Sequence, residues 1–387
     1  MAFQSLASGG SRLPLGRACP SSCLHRLDRQ AALRFVQERR TLFDLAARDN
    51  PFSGSAWILH FIRHVAKDDW TFVVPASGGD GENVMLLYSD GQAPYRCLSL
   101  ANYYASLYSP LVGSVGDRRF AIDTLVDQLV AQHAPCATVQ LAPLDRDAPE
   151  TAALERAFAR HGWYVKRYFC FGNWYLRCPG LSFADYMAGR DSQLRHTWSR
   201  KAKKFRGSGV EARLEIVTDS AGVEAAMDAY EQVYARSWKE PENYPGFVRD
   251  WARICARNGW LRLGLAWVGE VPVAAQFWFT LHGRANIFKL AYDEGHSRLS
   301  AGTVLTAHMF RHALDEDRVA EIDYLTGDDP YKRDWMNERR ERIGLVACNP
   351  RSLRGLVLAA GELAGELSRP LRRFIRPLGH PVTVTRP

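Results

Sequence analysis

No stretch of this chain approaches the ~20 consecutive apolar residues that a membrane-spanning helix requires, and the N-terminus has no apolar segment of the kind a secretory signal carries. The expectation is a chain that is neither inserted nor exported, with the cytoplasm as its compartment. Acidic residues are missing before Asp28, where Arg12, Arg17 and Arg26 stand among Ser and Gly. Residues 1–28 therefore read as a disordered N-terminal arm. The eight cysteines are scattered without a CxxC pair, which excludes a zinc ribbon and a disulfide framework and points to reduced thiols. HExxH is absent. His60/His64 and His308/His312 are spaced by one helical turn but have no third ligand at a motif distance, so no metal is expected. The Gly-rich SGGDGEN run at 77–83 lacks the Lys-Ser/Thr of a Walker sequence and does not lead into a helix, so it is a hairpin loop and not a phosphate cradle.

What is present fits an enzyme of ordinary build. At 387 residues, 47% hydrophobic and 24% charged, the chain is long enough for two cores, and two domains is the natural expectation. The net charge of +8 is unevenly placed. Residues 190–206 hold four Arg and three Lys against Asp191, and residues 351–387 hold seven Arg against Glu362 and Glu366, so the rest of the chain is slightly acidic. Each basic segment has two readings: a solvated helix face or a frayed tail on one hand, contact with the phosphates of a cofactor, a tRNA or an acidic membrane on the other.

Apolar periodicity gives helices near 33–47, 57–65, 120–133 and 151–161, and strands near 70–75, 84–88, 138–141, 164–170 and 173–176. Turn chemistry at Pro179-Gly180 closes this α/β half. A second half comes after it, with helices around 182–206 and 221–238. The richest stretch runs from Trp260 to Trp335. WLRLGLAW alternates strictly, Gly269-Glu270 turns, VPVAAQFWFTL alternates again, His282-Gly283 turns, and NIFKLAYD completes an antiparallel meander. The loop GHSRLSAG then leads into a helical run whose start at Gly302 offers free backbone N–H groups to an anion.

This order resembles the GNAT superfamily of acyl-CoA-dependent N-acyltransferases, in particular its CelD/BcsL-type branch, which shares a double-domain layout with FemAB-like transferases. The matching residues are the Tyr292-Asp293 strand end, the Leu299–Gly302 helix start, and Asp323, Gly327, Asp328, Tyr331, Lys332 and Trp335 in EIDYLTGDDPYKRDW. A fainter match covers Asp49–Phe52 with Trp57, and Leu98, Leu100 and Asn102. The resemblance implies an α/β fold of two tandem GNAT-like domains, each a mixed, mostly antiparallel sheet flanked by helices. The expected divisions are an arm at 1–28, an N-terminal GNAT-like domain at 29–179, a C-terminal acetyltransferase domain carrying the site at 180–348, and a basic helical tail at 349–387.

The resemblance also implies a reaction, the attack of an acceptor amine on a thioester, which needs a donor to the carbonyl and an acid for the departing thiolate. Tyr331 suits that acid, with a water or Tyr292 as the alternative, and Lys332 suits a phosphate or carboxylate. Arg298, Ser300, Gly302 and Thr303 would surround the CoA pyrophosphate; Ala301 and Thr303 stand where the superfamily pattern has Gly and Gly/Ala, which leaves another acyl donor open. Asp328 and Trp335 would line the acceptor side. Lys289 is either an edge-strand cation or a cleft cation, and lies on the face opposite Tyr292 by strand parity. Asp323, a carboxylate in an apolar strand, demands a partner such as Arg262 or Lys289, or a catalytic duty.

Three functions are compatible with these features. The first is an acetyl-CoA or other acyl-CoA N-acyltransferase, transferring groups other than aminoacyl groups to a small-molecule or glycan-precursor amine, in envelope polysaccharide or related metabolism. The second is a Fem-type transferase using aminoacyl-tRNA gripped by the 190–206 helix. The third is a non-catalytic envelope-assembly protein. No sustained heptad segment offers a coiled-coil arm for tRNA, which favours the first. The basic tail adds a peripheral membrane contact as an expectation.

Overall fold

Thirteen strands hydrogen-bond into one mixed sheet in the order β1-β2-β4-β5-β6-β13-β7-β12-β11-β10-β9-β8, with β3 on β2. The computed structural model describes residues 22–78, 83–113, 118–132, 136–207 and 211–362. The first half comprises β1 (Ser22–Leu27), α1 (Arg29–Glu38), α2 (Arg40–Ala46), α3 (Ser55–Val65), β2 (Thr71–Ser77), β3 (Asn83–Val84), β4 (Leu87–Ser89), β5 (Arg96–Ser99), α4 (Arg118–Gln132), β6 (Thr138–Asp145), α5 (Pro149–Arg160) and β7 (Tyr164–Arg177). The second comprises α6 (Phe183–Ala188), α7 (Ser192–Arg206), β8 (Ala212–Val217), α8 (Val223–Ala235), α9 (Phe247–Arg257), β9 (Leu261–Val268), β10 (Val271–Leu281), β11 (Arg284–Tyr292), α10 (Ala301–Arg311), β12 (Glu321–Asp323), α11 (Pro330–Trp335) and β13 (Glu338–Cys348). A last helix, α12, covers 353–362.

Two expected boundaries change. Residues Ser22–Leu27, expected in the arm, instead pair antiparallel with β2, from Ser22↔Ser77 to Leu27↔Phe72. Residues 1–21 of the arm, the 79–82 part of the Gly-rich loop and the tail beyond 362 lie outside the described residues. The expected division at 179/180 does not divide the sheet either. β13, expected with the C-terminal domain, inserts between β6 and β7 of the first half, antiparallel to both (Val346↔Gln140 and Val346↔Lys166).

The two halves also share a core. Trp57 of α3 packs edge-on against Trp251 of α9, with ring centroids 4.9 Å apart, and against Phe247 at 5.7 Å, burying aromatic surface that neither half covers alone. His60, one turn on in α3, is buried beside them. Its Nε2 lies 3.0 Å from the Phe247 carbonyl, which only accepts, so this nitrogen carries the proton of a neutral ring. Burial, helped by the neighbouring His64, pushes the His60 pKa down to about 3. Across the sheet, Asp323 is buried at the end of β12. Its Oδ1 accepts from Asn173 Nδ2 at 2.6 Å and from Leu325 N at 2.7 Å, and Oδ2 pairs with Arg340 of β13. Neither expected partner is used: Arg262 pairs with Asp317 at 2.6 Å and Lys289 with Glu242 at 2.5 Å. Burial opposes ionisation of Asp323, but the Arg340 charge and these hydrogen bonds outweigh it, and the carboxyl is held below its usual range.

The meander forms as the alternation predicts, with Gly269 (φ 55°), His282 (φ 49°) and Gly283 (φ 72°) in the left-handed region at its turns. β11 carries a bulge: Phe277 pairs with Lys289 and Trp278 with Ile287, leaving Phe288 extra. β11 is not an edge strand. It runs parallel to β12, but that pairing stops at Asn286↔Asp323, so from Ile287 to Tyr292 the two strands diverge.

Replacing Asp323 with Asn leaves Arg340 with Glu321, 3.0 Å away, as its one remaining acidic partner among the described residues, beside its hydrogen bond to Asn173 Oδ1. Chemical denaturation is expected to show a loss near the lower end of the about 3–5 kcal/mol seen when a buried pair loses one member. For His60, the unfolded ring takes up a proton below its ordinary pKa of 6.5 while the folded ring stays neutral down to about 3. Stability is therefore expected to fall by up to about 1.4 kcal/mol per pH unit between those values, and His60→Phe is expected to flatten that slope.

Candidate active site

The divergence of β11 from β12 opens a cavity of about 580 Å³, lined by Leu290, Ala291 and Tyr292 of β11, by His296, Ser297 and the 300–303 segment, by Lys201 of α7, and by Tyr324, Tyr331 and Trp335 on the opposite wall. This is the size of an ordinary ligand site. The turn into α10 is built by Asp293, whose Oδ1 accepts Gly295 N at 2.8 Å while Oδ2 meets His296 Nδ1 at 3.1 Å. Ser300 then takes a left-handed backbone (φ 53°), a conformation costly for a residue with a Cβ and concentrated at functional sites. The amides of Thr303 and Val304 donate to Ser300 O; those of Ala301 and Gly302 precede the helical ladder. Lys201 Nζ donates to Thr303 Oγ1 at 3.2 Å, adding a cation beside this helix start. Gln276, buried in apolar β10, donates to Gly302 O at 3.2 Å and to Thr306 Oγ1 at 2.7 Å, and so fixes α10 to the sheet.

On the other wall α11 begins with Pro330, whose missing N–H costs nothing at a first helical position. Asp329 does not cap it with its side chain; it pairs with Lys332 at 2.9 Å. The Tyr331 ring packs edge-on against Tyr324 at 5.9 Å. Tyr331 is 43% exposed as a residue, but partial desolvation and then the Asp329 charge hold its phenol above the ordinary range, so it is protonated at neutral pH and holds that proton more tightly than a free tyrosine.

Of the sequence-predicted residues, Tyr292, Ser300, Gly302, Thr303, Tyr331 and Trp335 line this one cavity. The others stand elsewhere. Arg298 is exposed outside the lining. Lys332 is buried and donates to Thr326 O at 2.6 Å and Gly327 O at 3.3 Å, so its ammonium holds the turn rather than a phosphate. Asp328 accepts from Trp174 Nε1 at 2.7 Å and pairs with Arg339 at 2.6 Å, tying the same turn to β7 and β13. Asp323 borders a separate small cavity at the seam between the halves.

Lys289 faces the other side of β11. The bulge sets it next to Phe288 on that face, with its Nζ 4.6 Å from the Tyr104 ring centroid. Glu242 binds both: Oε1 to Lys289 Nζ at 2.5 Å and Oε2 to the Tyr104 hydroxyl at 2.5 Å. Burial works to raise the Glu242 carboxyl, but the Lys289 charge and hydrogen bond prevail and the net shift is downward. Nearby Lys239 is pushed down to about 8, by burial and then by the Lys289 charge. Sequence reasoning missed Gln276, Lys201, Lys239 and Glu242. Gln276 carried a signal, a lone amide amid Ala274, Ala275, Phe277 and Trp278; Glu242 carried none, because its partner Tyr104 is 138 residues away.

Residues 192–333 match the model of the Acetyltransferase (GNAT) domain. Among curated proteins none matches the chain. Among solved structures, FemX superposes with a TM-score of 0.57 at 12% identity, covering 86% of this chain and 99% of that one. L-PGS from Bacillus licheniformis does so at 0.50 and 12% identity, covering 84% and 96%. Identities this low speak to fold alone, and the coverage runs across both halves. The chain thus has a tandem GNAT-like α/β fold whose second unit is, over residues 192–333, similar to the GNAT acetyltransferase domain.

Proposed function

We propose that the chain is an N-acyltransferase that takes its acyl group from a CoA thioester and passes it to an amine held between the two halves. The observation that supports this most directly is the cavity in the gap between β11 and β12, bounded at one end by the start of α10 with Lys201 and across the gap by Tyr331. A pyrophosphate is served by the amides of Ala301 and Gly302, the Ser300 and Thr303 hydroxyls and the Lys201 charge. The residues fit: the position of a Cβ on Gly302 is 3.6 Å from the Tyr292 ring, ordinary contact, so the helix start is open and not clamped. The thioester supplies an activated carbonyl. Beyond Asn286 the β11 backbone faces the gap without β12, where its amides are placed to meet that carbonyl oxygen.

The acceptor approaches from the face of Glu242 and Lys289. The amine nitrogen bonds to the carbonyl carbon, the carbon–sulfur bond breaks, and the thiolate takes its proton from Tyr331. Lys239, with its pKa near 8, is suited to receive the proton that the amine sheds. A glycan-precursor amine in envelope metabolism is the acceptor class that the CelD/BcsL resemblance favours. One observation favours a second reading, an aminoacyl-tRNA donor: Arg195, His196, Arg200, Lys203 and Lys204 form an exposed basic face on α7. Salt-sensitive tRNA binding without stabilisation by CoA would establish that reading in place of the first.

Gly302→Glu places bulk and negative charge where the pyrophosphate is to sit. Calorimetry is expected to show CoA binding abolished with the melting temperature unchanged, and retained affinity refutes the placement. Tyr331→Phe keeps the ring and removes only the hydroxyl. Steady-state kinetics are expected to show kcat lowered by about 10²–10⁴ with KM nearly constant; full activity would exclude Tyr331 as the acid.

A further inference from the structure

Helix α12 lies on the body with one face inward. Gly355 is buried against backbone so closely that a Cβ there would come 2.1 Å from Asn349 O and 2.9 Å from Ala137 O. Glu362, two turns on along the same face, pairs with the buried Lys166 at 2.7 Å, and the Arg354 guanidinium sits 4.5 Å over the Tyr95 ring. These contacts fix the helix's rotation and so force its apolar side outward. Leu353 is 83% exposed, Val357 71% and Leu356 48%, and Ala360 is exposed with them. Positions 353, 356, 357 and 360 form one stripe at helical spacing. Solitary exposed apolar residues are ordinary, but an aligned row on a fixed helix marks a contact surface.

The sequence after α12 indicates the contact. Leu363, Ala364 and Leu367 continue the apolar spacing, and RPLRRFIR at 369–376 interleaves Arg369, Arg372, Arg373 and Arg376 with Leu371, Phe374 and Ile375. Glu366 is the one acid after 362. We infer that α12 is a docking surface for an anionic lipid bilayer, its Leu353, Leu356 and Val357 inserted at the headgroup level and the arginine-rich sequence that follows it supplying the charge that matches lipid phosphates. A polyanion such as RNA would match the arginines but gain nothing from the leucine and valine row. No helix among the described residues is long and apolar enough to cross a membrane, so the contact is with one surface. It is independent of the acyl-transfer reading, since none of these residues lines the cavity.

The test is co-sedimentation of the full chain with vesicles of equimolar phosphatidylglycerol and phosphatidylcholine, and with vesicles of phosphatidylcholine alone. Wild type is expected to pellet with the anionic vesicles, less at high salt, and poorly with the neutral ones. Leu353→Glu/Val357→Glu is expected to lower the partition about tenfold or more, with melting temperature and solution mass unchanged; Arg372→Gln/Arg373→Gln/Arg376→Gln is expected to weaken it and reduce its salt dependence. Absent binding by wild type, or equal binding by the Leu353/Val357 variant, overturns the inference. A fall in solution mass in that variant overturns it in favour of a second copy on this face, and a fall in melting temperature in favour of the chain's own C-terminal residues covering it.

Discussion

Parallel pairing of β11 with β12 lasts only from Arg284↔Glu321 to Asn286↔Asp323, and the site depends on its ending there. A sheet closed along this line would satisfy the β11 amides with β12 carbonyls and leave no gap for a ligand. The ending is held in place chemically. Asp323, the last residue of β12, is fixed by Asn173 of β7 and Arg340 of β13, and the chain beyond it is pulled into the 324–329 turn by Lys332 and Asp328. Residues that looked like ligands for substrate are thus the ones that keep the gap open. Only Asp323 stood out in the sequence as a carboxylate needing a partner; together with Lys332 and Asp328 it holds the wall that carries Tyr331.

The bulge at Phe288 complements the gap. It turns two consecutive residues, Phe288 and Lys289, to the face where Trp57, Tyr104 and Glu242 lie, while Leu290 and Tyr292 face the cavity. One strand therefore supplies a wall to the cavity on one side and a charged cluster on the other. Tyr104 belongs to the first half and Glu242 to the second, so the geometry of that cluster depends on the aromatic core that joins α3 to α9.

The meander, its turns, α10 and the Pro330 helix start were legible in the sequence because each rests on local chemistry: period-two alternation, left-handed turn residues, proline at a first helical position. Six of the residues expected at the site do line one cavity for the same reason, since they lie on the short segments that those local signals locate. What escaped was non-local. The Asp323 partners come from β7 and β13, and β13 itself opens with Glu338, Arg339, Arg340, Glu341 and Arg342, a charged run that conceals a strand. Its three arginines make sense only once Asp328, Asp323 and Asp145 are seen to neutralise Arg339, Arg340 and Arg342 in turn. The helix expected over 33–47 breaks at Arg39 (φ −109°, ψ 24°), where no breaker residue announces it.

The insertion of β13 between β6 and β7 has a bearing on how the molecule is made. β6 and β7 are consecutive in the chain yet bond to each other only through a strand that begins at Glu338. On the ribosome, the first half emerges with two open strand edges facing one another and must wait for nearly all of the second half before the slot between them is filled. Closing it is a contact of long sequence separation, which delays the rate-limiting step of folding. The two units are therefore alike in fold but not independent in assembly, and the second unit cannot be excised at 180 without also removing the strand that joins β6 to β7 in the first.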